Sequence, residues 1–162
     1  MTSHTEAQEN VSPGGFRIAV YCVQFFFGGW FFLHGLNHWF HFFPQPPGSS
    51  PQGAALIGAL IESGMFDLIK GMEVLTGALM LANRFVPLAI VLAAPVGIGI
   101  AAFDHATNGD WFGTGTAIVI MLMLGLMALG HLDRFLPMLV FDQGPPSLRG
   151  WRQLTGKSEG EG

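Results

Sequence analysis

The chain has 162 residues, 50% of them hydrophobic and 11% charged, with a formal net charge of −4. A typical soluble domain carries about 25% charged residues, and one of this size has too little interior to hide so much apolar surface, 15 phenylalanines included. Seven Lys and Arg with no basic stripe argue against nucleic-acid binding, and a single cysteine, Cys22, excludes an internal disulfide or a Cys-pair redox motif.

Residues 1–15 are polar and slightly acidic (Glu6, Glu9) and are expected to form a disordered N-terminal segment. The first apolar stretch, at about residues 17–43, is longer than the roughly 7–15 residues of a secretory leader core and has no A-x-A site after it, so it reads as a retained span. It runs from Phe16 or Arg17 to about Phe43, with Pro44, Pro46 and Pro47 as the expected stop. Gln45–Gly53 reads as an irregular loop. Ala54–Ile61 is apolar but too short to span; it fits an interfacial or re-entrant turn, or the extended start of span two.

Span two, Phe66–Asn83, is the least apolar, with Asp67, Lys70 and Glu73 in its first half. Asn83-Arg84 makes a tight turn into span three, residues 85–103, where Pro87 suits the first turn and Pro95 predicts a kink. His105–Gly113 is a short loop, and span four runs from about Thr114 to Arg134. Phe135–Phe141, which contains Pro137, is expected to lie along the interface, and residues 143–162 are expected to be a disordered tail. The fold class is therefore all-α: an integral membrane four-helix bundle over residues 16–142. An N-in/C-in layout puts Arg17, Arg84, Arg134, Arg149, Arg152 and Lys157 on the cytoplasmic side, leaves both outer loops without Lys or Arg, and sets Trp39 and Trp111 at the outer interface. Ala93, Gly97 and Ala101 form a small-residue stripe on span three; Gly28-Gly29 and Gly71/Gly77 offer similar close approach on spans one and two. Cys22 is expected to face a neighbouring helix.

Ionisable groups in hydrocarbon mark a functional site or a partner they must pair with. His34, His38 and His41 fall at i, i+4 and i+7, and Lys70 and Glu73 at i and i+3, so each set shares one helix face. At about 1.5 Å per residue, His34 and Glu73 reach similar depths in the outer leaflet, with Asp104 and His105 at the outer end of span three. The candidate ligand-binding group is thus His34, His38, Lys70, Glu73 and His105, while Asn37 points away from the stripe toward a neighbouring helix. Three readings stay open. The polar groups pair and anchor helix packing. Or they hold a small molecule such as a quinone and move its proton. Or His34 and His38 ligate a haem or a metal ion. The aromatics Phe25–Phe27, Trp30–Phe32 and Phe42–Phe43 line a pocket or face lipid.

Three segments carry a family likeness. Phe32-Leu33-His34-Gly35-Leu36-Asn37-His38 resembles the first helix of the DoxX family of small bacterial membrane proteins. The run from Lys70 to Leu79 resembles that family's Glu-x-x-x-Gly second helix, and Asn83-Arg84-Phe85-Val86-Pro87-Leu88-Ala89 with Ala94-Pro95 its third. The resemblance implies a four-helix bundle in the bacterial cytoplasmic (inner) membrane, with His34, Gly35, Glu73, Gly77 and Pro95 at family-type positions. It also implies a role beside thiosulfate:quinone oxidoreduction or in complexes handling oxidative or thiol stress, with other membrane redox subunits or further copies of the chain as partners. The extra histidines of span one depart from the pattern, and no cysteine lies near the polar group, which weakens thiol exchange here.

Overall fold

A computed structural model describes residues 13–44, 50–108 and 111–139, and every regular element among them is a helix. In chain order these are α1 (Pro13–Phe40), α2 (Pro51–Glu62), α3 (Met65–Leu81), α4 (Val86–Phe103), α5 (Trp111–Gly130) and the short α6 (Leu132–Phe135). A π-helical turn, Asp104–Asn108, continues α4, and a 3-10 turn, Leu136–Leu139, follows α6. The helices α1, α4 and α5 are long and apolar enough to cross a membrane, and α2 and α3, bent by 88° at their junction, make a fourth candidate if counted as one. This is the make-up of a multi-pass membrane protein, and side chains such as Phe26, Leu33, Ile98 and Leu122 stand outward, as a lipid surround requires. Of the expected terminal segments, residues 1–12 and 143–162 lie outside the described residues, as do 45–49 of the first loop.

The helix ends have local causes. Helix α1 stops at Phe40, before the prolines: His41 takes a left-handed conformation (φ 53°) while its N–H still bonds Asn37 O at 2.9 Å. Ser50 caps α2, its Oγ accepting from the Gly53 N–H at 3.0 Å, with Pro51 in the first turn. The elbow between α2 and α3 rests on Gly64 at φ 73°, a value glycine adopts without steric cost. The expected tight turn before α4 is present: Asn83 and Phe85 are both left-handed at φ 52°. Helix α4 continues through Pro95, and α5 runs from Trp111 to Gly130, displaced toward the N-terminus relative to the expected span.

The core gathers Phe27 and Phe31 from α1, Met80 from α3, Ala89, Ile90 and Ala93 from α4, and Leu124 and Met127 from α5. Ala93, Gly97 and Ala101 are all buried, and a Cβ on Gly97 would sit 2.8 Å from Leu124. The closest approach is between α1 and α3. A Cβ on Gly77 would stand 2.5 Å from Phe32 N and 2.7 Å from Gly28 O, and one on Gly35 would stand 2.9 Å from Lys70 O. Backbone meets backbone there, which only glycine permits. Of the other glycines expected at this interface, Gly29 and Gly71 face open space. Cys22 is likewise exposed rather than set against a neighbouring helix.

Candidate functional site

The helices α1 and α3 run antiparallel, and their contacts fix which side chains meet. Gln24 reaches Met80 and Asn83, Gly28 sits on Gly77, Gly35 on Lys70 and Val74, and His38 on Phe66 and Asp67. Four polar side chains are buried along this pair and its ends: Gln24, Asn37, Glu73 and Thr76.

Glu73 is 2% exposed, and Lys70 donates to both its carboxylate oxygens at 2.9 Å. The pair occupies positions i and i+3 of one helix, so α3 itself supplies both partners. The Lys70 ammonium also lies 5.2 Å from the centroid of the Phe66 ring, a cation–π distance. The edge of His38 meets the same ring at 5.1 Å. Asp67 Oδ1 accepts from His38 Nε2 at 2.6 Å, which ties the end of α1 to the start of α3. His38 and Glu73 lie within Coulombic reach of each other. The fold therefore brings together His38, Lys70 and Glu73 and adds Phe66 and Asp67.

His34 occupies different surroundings. Its ring stacks on Trp30 at 4.8 Å and 9° and meets Phe43 edge-on at 5.0 Å, within Coulombic reach of Lys70. It lines an open groove of about 380 Å³ with Phe25, Leu33 and Phe43. A second groove of about 380 Å³ lies between α1, α4 and α5, lined by Phe27, Phe31, Trp111, Val119 and Met123; Phe26 and Trp30 border both. So Phe25, Phe26 and Trp30 face outward and line a groove, while Phe27 and Phe31 line one from the core. His105 is exposed and shares a hydrogen bond with Thr114 Oγ1 at 3.2 Å, on the α4–α5 side rather than with Lys70 and Glu73.

Asn37 was expected to reach a neighbouring helix. Instead it folds onto its own chain: Nδ2 donates to Phe43 O at 2.9 Å and Oδ1 accepts from Phe43 N–H at 2.8 Å. The left-handed His41 turns the chain back and brings Phe43 within reach. Among the described residues no three His, Cys, Asp or Glu side chains gather as metal ligands would. The ring contacts of His34 and the Asp67 bond of His38 give the two histidines separate settings.

Sequence reasoning passed over Gln24 and Thr76, and it placed Asp67 in span two without counting it in the candidate group. Gln24 stands alone as a polar side chain in the apolar run from Ile18 to Leu33, and that isolation is a signal of a needed partner. It donates to Met80 O and Asn83 Oδ1, both at 3.0 Å, while its buried Oε1 meets no donor among the described residues. Asp67 precedes Lys70 by three residues and so shares its face. Thr76 bonds back to Met72 O at 2.7 Å, a common way for a threonine to be satisfied inside a helix.

Chemically, the Lys70–Glu73 pair is closed. Each carboxylate oxygen accepts one hydrogen bond from Lys70, and at 2% exposure the group leaves little room for a ligand beside that partner. Comparison with protein-family models, with curated proteins and with solved structures finds no match to this chain.

Proposed function

We propose that this chain is a DoxX-like subunit of the bacterial inner membrane, a four-helix bundle with both termini cytoplasmic. It serves as a non-catalytic accessory component of a membrane redox assembly, and its buried polar groups lock helix packing. The observation that carries the packing role is the bidentate contact of Lys70 with a Glu73 that is 2% exposed: made within α3, it compensates a carboxylate that helix packing buries. A carboxylate held this way is stabilised by its partner and offers little to a substrate. The orientation draws on Arg17, Arg84 and Arg134 falling at alternate ends of successive spans. The redox setting draws on the likeness of the segments around His34, Glu73 and Asn83 to the DoxX pattern.

A second reading is favoured by the Trp30–His34 stack beside the aromatic grooves. In it, a quinone-like molecule lays a flat head near His34 and its tail along Phe26 and Trp30. One experiment separates the two. The protein is purified in mild detergent, and co-purified lipids and quinones are extracted from the native chain, from Glu73→Gln and from His34→Ala. The packing role predicts lower thermal stability in Glu73→Gln and the same extract from all three. A quinone present with the native chain and lost from a His34→Ala that remains folded overturns it.

A further inference from the structure

We propose that α2 lies flat in the headgroup–acyl boundary of one leaflet, so that its partner is the lipid surface itself. The inference rests on the chain being in a membrane and not on its accessory role.

The first support is length. Helix α3 has 17 residues, about 26 Å at 1.5 Å per residue, against a hydrocarbon core of roughly 30 Å. Arg84, just past its far end, is held at the opposite interface because a charge is costly in hydrocarbon. The elbow at Ser63-Gly64 therefore stays at or just below the near boundary instead of projecting into water. The second support is direction. The 88° bend turns α2 parallel to the membrane plane when α3 crosses it.

The third support is surface chemistry. Gly53 is buried, whereas Leu56 (49%), Ile61 (54%), Met65 (49%) and Leu68 (62%) are exposed around the elbow. Leu56 and Ile61 flank the buried side of α2, about 140° apart around its axis, and Met65 and Leu68 follow in the first turn of α3, so apolar side chains surround the elbow, where water would be an unfavourable neighbour. Glu62 is exposed on the side of α2 opposite the buried Gly53 and fits the polar side of the boundary, while Gln52 is exposed in its first turn. No Lys or Arg occurs between Ile18 and Ile69, so apolar burial, not attraction to anionic lipid, holds the helix down.

Spin labels on cysteines test this in the full chain with Cys22→Ala, reconstituted in phosphatidylethanolamine–phosphatidylglycerol vesicles. Labels are placed through Leu56→Cys, Ile61→Cys and Glu62→Cys, and through Ala54→Cys as an exposed small site on the side of Ile61. Collision with dissolved oxygen is compared with collision with a water-soluble nickel chelate. Labels at 54, 56 and 61 are expected to favour oxygen, those at 56 and 61 at nearly equal depth, and the label at 62, opposite the buried Gly53, to favour nickel. Three results overturn the proposal. One is nickel access at 54, 56 and 61. Another is protection from both reagents, which means that a protein or a second copy covers the face. The third is a depth difference of about 7 Å between 56 and 61, which means that α2 continues across the bilayer.

Discussion

At Lys70, one ammonium group serves Glu73 through two hydrogen bonds and Phe66 through its ring face, and His38 meets that ring from the other helix. The spacing of Lys70 and Glu73 was legible in the sequence because a helix places i and i+3 side by side. The pairing of His38 with Asp67 was not, because it depends on the register of α1 against α3, which Gly28, Gly35 and Gly77 set through backbone contacts. Asp67 is mostly exposed, so His38→Gln is expected to lower stability by less than about 1 kcal/mol in a detergent thermal melt. Gln24 behaves differently. Met80 O still accepts from Asn83 N–H at 3.1 Å when Gln24 is removed, and the orphan Oε1 disappears with it. Gln24→Leu should therefore leave the melting temperature unchanged or raise it, whereas a polar anchor essential to the fold would make the same variant lose about 1–3 kcal/mol.

Among the elements, all four expected spans could be read from apolar runs, and their ends fall within about four residues of the observed helices α1, α3, α4 and α5. The extent of α2 and its elbow were harder to see. Apolar composition continues from Ala54 into α3 with only Glu62, Ser63 and Asp67 intervening, and the bend depends on Gly64 adopting a left-handed conformation. Glycines at helix contacts likewise look alike in sequence and differ in space. Gly77→Ala would drive a methyl into Phe32 N and Gly28 O, neither of which can rotate away. It is expected to destabilise by about 1–3 kcal/mol. Gly71→Ala meets nothing within 4 Å and should leave the melt unchanged. Equal effects of the two substitutions would show that α1 and α3 are not packed in this register.

On the scale of the whole molecule, the proposed orientation follows from the distribution of basic residues. A green fluorescent protein joined after Gly162 is expected to fluoresce in bacterial cells, and an alkaline phosphatase at the same place to be inactive; the reverse pattern would invert the topology. The packing account has a more direct test in a double-mutant cycle at Lys70 and Glu73, followed by thermal or denaturant unfolding in bilayer-like micelles. Removing one partner leaves a buried, uncompensated group, so Lys70→Met and Glu73→Leu alone should each cost about 3–5 kcal/mol. Lys70→Met combined with Glu73→Leu should recover most of that loss, because an apolar pair of similar volume fills the same space. Single variants as stable as the native chain, or a double variant whose losses simply add, would contradict the claim that this pair compensates the charge that α3 buries in the bundle.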